Sequence, residues 1–267
     1  MKAGVLGSPI QHSLSPILHN AGYQALQLDH HYEAIDTDES SFADVFKTFD
    51  EHWMGVSLTM PLKVVAQKVA DHVAPLAQLT GSINTLVFTK SVVAYNTDVY
   101  GIIQACQESE LQGAKTCTII GSGATARSAI AAAFELGVSH VELIARNSGA
   151  IAQCDAIATE LGISFRSPAI NESNWLDSDL VINTTPAGVA DEFTSAITHA
   201  TGLLLDVVYH PWPTSLARAW EERGGRSCPG YLMLLHQASA QFELFTGQPA
   251  PIEEMREAMM IELSKRS

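Results

Sequence analysis

The stretch from Lys115 to Arg146, KTCTIIGSGATARSAIAAAFELGVSHVELIAR, constrains the fold of this chain more than any other. Thr116 to Ile120 is a short apolar, β-branched run that stops at Gly121-Ser122-Gly123, and an alanine-rich segment of helical period follows to Leu136. A second apolar run, Val141 to Ala145, completes a strand, turn, helix, strand unit. In such a βαβ unit Gly121 permits the sharp turn and Gly123 lets the backbone approach a pyrophosphate seated on the unpaired N–H groups of the helix. Ala126 takes the third position of a G-x-G-x-x-A pattern, where a small side chain lets helix and strand pack closely. A glycine turn alone is weak, since many bind nothing; the strand before it, the helix and the second strand after it point to dinucleotide binding.

The end of the second strand bears on which dinucleotide. A free ribose 2′-OH is normally held by an Asp or Glu about 20 residues past the glycines. Here the strand ends in Ala145-Arg146-Asn147-Ser148, with no acid. A guanidinium attracts a 2′-phosphate and stacks flat on adenine, so Arg146 followed by small polar residues favours NADP; the alternative is a solvated arginine at a strand end.

Composition excludes several classes. At 267 residues the chain is long enough for two domains with substantial cores, and no apolar run reaches the roughly 18 residues of a membrane span. The N-terminal MKAGVLGSPIQHS is too brief in its apolar part for a secretory signal and reads as a first strand. Cys106, Cys117, Cys154 and Cys228 are widely spaced with no CxxC pair, which suggests reduced thiols in a cytoplasmic protein and no zinc site. A formal net charge of -14 and the lack of a Lys/Arg cluster argue against nucleic acid. Apolar faces such as Phe242 to Phe245 suit internal packing or a subunit interface equally, so monomer and homodimer both stay open.

Taken from the N-terminus, Ala3 to Leu6 reads as a strand, followed by a turn and His12-Ser13-Leu14-Ser15-Pro16. Apolar residues at Ile17, Leu18, Ala21, Ala25 and Leu26 have helical spacing, making Ser15 a natural N-cap with Pro16 at the first helical position. Ser13 and Ser15 then project from the C-terminal end of a strand, where two hydroxyls can hold a polyol or a carboxylate. His31 to Ile35 reads as a second strand and Ser40 to Phe49 as an amphipathic segment. The run Trp53-Met54-Gly55-Val56-Ser57-Leu58 stops at Thr59-Met60-Pro61-Leu62-Lys63, and a helix is expected from Pro61 to about Val73. Lys63 in the first turn of that helix is electrostatically ill placed, which marks it for attention, although solvated lysines occur there too. Gly81 to Phe88 reads as a turn into a strand that pairs with Val92 to Tyr95. Asn96-Thr97-Asp98 then leads into a helix from Val99 to Gln107, so Asp98 is either its N-cap or a cleft residue facing Lys63.

A set of short motifs occurs in one order along nearly the whole chain: Ser13-Leu14-Ser15 with His19-Asn20, Thr59-x-Pro61-x-Lys63, Asn84-Thr85-Leu86, Asn96-Thr97-Asp98-x-x-Gly101, Gly121-Ser122-Gly123, Asn183-Thr184-Thr185-Pro186-x-Gly188, Asp206-Val207-Val208-Tyr209-x-Pro211 and Gly230-Tyr231-Leu232-Met233-Leu234-x-x-Gln237. Each is modest alone, but together, from Val5 to Gly247, the chain resembles the shikimate dehydrogenases. The resemblance implies a two-domain α/β fold. An N-terminal substrate-binding domain with a mostly parallel sheet, residues 1–99, is completed by C-terminal helices 231–267, and a Rossmann-like NADP-binding domain covers 100–230. It implies NADPH-dependent, reversible reduction of 3-dehydroshikimate to shikimate on the route to chorismate and the aromatic amino acids. Ser13 and Ser15 match the clamp on the substrate carboxylate; Thr59, Asn84, Asp98 and Gln237 match residues that hydrogen-bond the ring hydroxyls; Tyr209 matches a further substrate contact. Lys63 matches the catalytic lysine, giving a proton to the ring oxygen as hydride arrives and taking it back in reverse, with Asp98 nearby. Gly121, Ser122, Gly123, Ala124, Thr125, Arg146, Asn147, Ser148, Thr185, Val207 and Gly230 match cofactor positions. No metal is required, since the nicotinamide carries the redox work.

Departures from the family pattern are specific. Ser57 stands where relatives usually carry Asn, Ala124 adds a methyl group at the glycine turn, and Ala145 and Ala150 replace an Asn and a second basic residue, leaving Arg146 to carry the 2′-phosphate alone. Quinate-preferring relatives often have Thr in place of the second serine, so Ser15 resembles the shikimate form, with quinate/shikimate dehydrogenase using NAD as the alternative within the family. A non-catalytic NADP-sensing regulator would be free to lose the lysine, the aspartate and the serine pair, all of which are here. A two-domain dehydrogenase acting on folate or malate would share the architecture without these motifs together.

Overall fold

The computed structural model describes residues 1–266 and is α/β throughout, in two compact units: residues 1–97 with 234–266, and 98–233. The first unit begins with β1 (Lys2–Gly7), α1 (Ser15–Ala25), β2 (His31–Asp36), α2 (Phe42–Phe46) and β3 (Trp53–Leu58). It continues with a 3₁₀ turn at Val65–Val69, β4 (His72–Val73), α3 (Pro75–Thr80), β5 (Thr85–Phe88) and β6 (Val92–Tyr95). The strands form one sheet in the order β2-β1-β3-β5-β6-β4. β1 is parallel to both β2 and β3, whereas β5 runs antiparallel to β3 and to β6. β1 and β3 are buried almost end to end, as expected of central strands covered on both faces. Leu6, Val56, Leu58 and Leu86 pack with Leu62, Ala66 and Ala77 in one core cluster.

The second unit holds α4 (Asp98–Glu108), β7 (Thr116–Ile120), α5 (Ala124–Glu135), β8 (His140–Ile144), α6 (Ser148–Glu160), β9 (Ser164–Arg166), β10 (Leu180–Asn183), β11 (Leu203–Asp206), α7 (Ser215–Glu222) and β12 (Arg226–Pro229). Its sheet, β12-β11-β10-β7-β8-β9, is parallel at every pairing. The chain winds outward from β7 through β8 to β9, then returns to β10 on the other side of β7. That reversal is the doubly wound Rossmann-like order, with its switch point between β7 and β10. The alanines of α5 let it lie flat on the sheet: Ala126, Ala129, Ala132 and Ala133 are fully buried. α8 (Gly230–Thr246) and α9 (Ile252–Arg266) complete the chain, and within the first unit α9 packs on α1. Gly22 lets α1 also approach α8, because a Cβ on it would lie 2.7 Å from the Phe242 ring.

Three local expectations are corrected. The helix expected from Pro61 to Val73 is a turn followed by the short 3₁₀ segment, because Val73 pairs with Ala94 at the sheet edge and removes the end of the segment from any helix. The dipole argument for Lys63 lapses with it. Ser15 does not cap α1: Leu14 holds the N-cap position without a side-chain bond, Ser15 is already helical, and its N–H donates to Ser13 Oγ at 3.2 Å. Asp98 is the first helical residue of α4, one position earlier than the helix expected from Val99. Among the described residues no helix is long and apolar enough to cross a membrane.

Candidate functional site

The first unit gathers its polar candidates at the C-terminal ends of its parallel strands. The loops leaving β1 and β3 are tied together, Thr59 N–H donating to Leu6 O at 2.9 Å and Ser8 N–H to Met60 O at 3.1 Å. This closeness depends on Gly7, where a Cβ would meet the Thr59 methyl at 2.3 Å and the Met60 carbonyl at 2.8 Å. Ser13 and Ser15 follow β1, with Ser15 6% exposed; Thr59 and Lys63 follow β3, both half-buried. The Lys63 carbonyl accepts the Ile83 N–H at 2.8 Å, which fastens the lysine turn to the segment entering β5.

Asn84, 1% exposed, is the hub of that segment. Its carbonyl accepts Leu58 N–H at 2.8 Å, and its side-chain oxygen accepts Thr97 N–H at 2.8 Å and the Thr85 hydroxyl at 2.9 Å. Its Nδ2 donates to Thr97 Oγ1 at 2.9 Å and to Gln237 Oε1 at 3.1 Å. Sequence reasoning missed Gly7, Thr85, Thr97 and Gln241 as parts of this cluster. One signal was available: Gln237 and Gln241, four apart on a mostly apolar helix, share a face and need buried partners. Asp98, fully buried, opens α4 in the second unit immediately after Thr97.

In the second unit, Gly121 has φ +102°, and a Cβ there would lie 2.6 Å from Thr184 Oγ1. Glycine is thus required by the turn itself. Gly123 differs: it has ordinary backbone angles at the N-cap of α5, and a Cβ on it would meet nothing within 4 Å. The fold does not demand glycine at that position, which leaves room for a group approaching the N-terminus of α5. Thr184 Oγ1 donates to Ile120 O at 2.8 Å, joining the ends of β7 and β10. Thr185 is held by Asn183, whose Nδ2 donates to Asp206 at 3.0 Å. Burial raises the Asp206 carboxyl above its ordinary value, against donated hydrogen bonds from Thr214, Val208 and Asn183.

Gly121, Ser122, Arg146, Asn147 and Thr185 border a groove of about 530 Å³ along the strand ends, which Glu192 and Phe193 also line. That volume lies within the range of small-molecule sites. Arg146, Asn147 and Ser148 are exposed at its β8 side; Asn147 Oδ1 accepts Ala150 N–H at 3.0 Å and so caps α6. Ala124 and Thr125 form the first turn of α5. Val207 and Tyr209 follow β11 and are half-buried. A Cβ on Gly230 would lie 2.3 Å from Val207 O, so the absence of a side chain there is explained by the close start of α8. An unblocked helix N-terminus, an exposed guanidinium and the lack of an acid at the end of β8 together fit a phosphorylated dinucleotide. The four cysteines are buried and unpaired, and among the described residues no group of three or more His, Cys, Asp or Glu could hold a metal ion.

Known proteins match this chain along most of its length. Residues 5–86 match the model of the shikimate dehydrogenase substrate binding domain and residues 230–260 that of the shikimate 5'-dehydrogenase C-terminal domain. Shikimate dehydrogenase (NADP(+)) of Methanopyrus kandleri is 31% identical, over 96% of this chain and 94% of its own length. The crystal structure of Mycobacterium tuberculosis shikimate dehydrogenase superposes with a TM-score of 0.90 at 42% identity, covering 98% of this chain and 99% of that one. That of the Thermus thermophilus shikimate 5-dehydrogenase in complex with NADP(H) and shikimate gives 0.87 at 28% identity, covering 98% and 99%. On these matches, and on the doubly wound sheet and strand-end polar cluster that underlie them, the chain belongs to the shikimate dehydrogenase family.

Proposed function

We propose that this chain is an NADP-dependent oxidoreductase that reduces 3-dehydroshikimate to shikimate, and runs the reverse reaction, within chorismate biosynthesis. The observation that carries the reading is the concentration of hydroxyl, carboxamide and ammonium groups, Ser13, Ser15, Thr59, Lys63, Asn84 and Gln237, at the strand ends of the first unit, where a small polyhydroxylated acid has a partner for each oxygen. Ser13 and Ser15 take the substrate carboxylate, and Thr59, Asn84, Asp98 and Gln237 take the ring hydroxyls, with Tyr209 as a further contact. When bound, NADPH supplies the hydride. Lys63 supplies the proton to the ring oxygen that gains charge, and receives it back in the oxidative direction. Gly121 through Thr125 receive the pyrophosphate, Arg146 through Ser148 the adenosine ribose and its 2′-phosphate, and Thr185, Val207 and Gly230 border the remainder of the cofactor.

The direct test is purified protein with 3-dehydroshikimate and NADPH, followed by loss of the reduced-nicotinamide absorbance. A protein that binds NADPH normally and shows no such loss would be a sensor and not a dehydrogenase.

Two variants separate the cofactor contacts. Gly123→Ala is expected to leave thermal stability nearly unchanged, since the angles at Gly123 suit alanine and the space is open. Its KM for NADPH is expected to rise roughly tenfold or more if the backbone approaches a pyrophosphate there. Arg146→Ala is expected to raise the NADPH KM by about 10- to 100-fold while changing NADH kinetics little, because only the 2′-phosphate contact is lost. Equal losses with both cofactors would assign Arg146 to adenine stacking instead.

A further inference from the structure

Behind Asn84 lies a line of buried hydrogen bonds whose direction is fixed. Tyr32 Oη donates to Ser57 Oγ at 2.7 Å, and Ser57 Oγ donates to Gln241 Oε1 at 2.8 Å. Gln241 Nε2 then donates to Thr85 Oγ1 at 3.0 Å, and Thr85 Oγ1 to Asn84 Oδ1 at 2.9 Å. Ser57 and Thr85 are direct cross-strand partners on β3 and β5, and Gln241 of α8 bridges them. Each hydroxyl has one proton to give. Ser57, having accepted from the phenol, must give its proton to Gln241, so Oε1 faces Ser57 and Nε2 faces Thr85. Thr85, having accepted from Nε2, must give its own to Asn84. The Thr97 backbone N–H, which can only donate, reaches the same Asn84 oxygen, so Thr85 and Thr97 together hold that oxygen and the relay supplies one of the two donors.

At the start of the line Tyr32 is 1% exposed, burial holds its phenol protonated far above the ordinary range, and the His19 ring stacks on it at 4.1 Å. At the other end Asn84 turns its Nδ2 to Gln237 Oε1, which leaves Gln237 with its own Nε2 to present elsewhere. We propose that the Tyr32–Ser57–Gln241–Thr85 relay is a positioning device, locking the carboxamides of Asn84 and Gln237 so that Gln237 offers an N–H donor to a substrate oxygen. Its members touch no substrate themselves; they remove the amide-flip freedom of two residues that do. The proposal rests on the function argued above, and it makes this part of the site selective for an oxygen acceptor.

Thr85→Val tests it, because the shape is kept and the hydroxyl that accepts from Gln241 and donates to Asn84 is lost. The expected result is a rise of roughly tenfold in the shikimate KM and in its calorimetric Kd, with NADPH KM within about twofold of wild type. Thr85→Ser restores the hydroxyl and is expected to restore shikimate affinity. In a Gln237→Ala background the Thr85→Val effect on shikimate is expected to shrink, since the part that the relay carries through Gln237 is already lost and only that through Asn84 stays. Should Thr85→Val fail to fold, Ser57→Ala cuts the same relay one step earlier and is read in the same way. Unchanged shikimate affinity in a folded Thr85→Val or Ser57→Ala protein overturns the relay and leaves the dehydrogenase reading intact. Equal losses for shikimate and NADPH also overturn it, as general destabilisation. Absence of shikimate binding and turnover in the wild-type protein overturns both.

Discussion

Replacing Lys63 with alanine is expected to lower kcat by roughly 10²- to 10⁴-fold with only a modest change in the KM for 3-dehydroshikimate. The backbone at Lys63 is held without its side chain: its carbonyl accepts the Ile83 N–H, and the neighbouring Leu62 is fully buried in the core of the first unit. The variant should therefore keep the turn and lose the ammonium alone. Substrate hydroxyls and carboxylate retain Ser13, Ser15, Thr59, Asn84 and Gln237, so ground-state binding changes little. The step that suffers is the one in which charge builds on the ring oxygen, and its loss appears in kcat. Steady-state rates in both directions at saturating NADPH or NADP, with circular dichroism to verify folding, measure it. Near-normal turnover removes Lys63 from the chemistry, while a large KM increase at unchanged kcat makes it a binding residue.

The legibility of the chain followed the range of the forces involved. The cofactor half was readable because its determinants are local: β7 falls on Thr116–Ile120, the run read from its β-branched residues, and Gly121 turns with the positive φ that its position requires. The same local pattern placed Arg146 just past the end of a strand, which is where it lies after β8. Around Lys63 local pattern misled. Leu62 and Ala66 are four apart and both buried, as in a helix, but the Leu62 carbonyl is shared between Val65 N–H, a 3₁₀-type bond, and Ala66 N–H, the segment settles into a short 3₁₀ turn, and Val73 is claimed by the sheet edge. At Ser15 a good capping residue was overridden by the neighbouring Ser13 hydroxyl, which takes the Ser15 N–H. The relay behind Asn84 had no local signal, since Ser57 and Gln241 are 184 positions apart and Thr85 and Gln241 are 156 apart. From sequence Ser57 read as a changed polar partner, serine where relatives usually carry Asn. In the folded chain its hydroxyl accepts a hydrogen bond from Tyr32 and donates one to Gln241, a role that only the juxtaposition of β3 with α8 creates.

Acid is expected to destabilise the first unit through His19. The ring is fully buried and stacks on Tyr32 with an interplanar angle of 5°. Desolvation pushes its pKa from 6.5 down to about 3, the nearby Gln241 side chain opposing that shift only in part. The sign follows directly. Between about 3 and 6.5 the unfolded chain binds a proton at this residue and the folded chain does not. Stability is therefore complete above 6.5 and is lost as pH falls from 6.5 toward about 3. One such site costs on the order of 3 kcal/mol by about pH 4, a substantial fraction of an ordinary domain's stability. Hydrogen exchange of α1 and β2 amides across this range, converted to opening free energies, localises the loss to the first unit. His19→Phe keeps an aromatic ring against Tyr32 and cannot take a proton, so its acid slope is expected to be flatter than that of the wild type by this amount. Parallel curves for the two proteins down to about pH 4 would clear His19 of the effect and move the acid sensitivity to other groups.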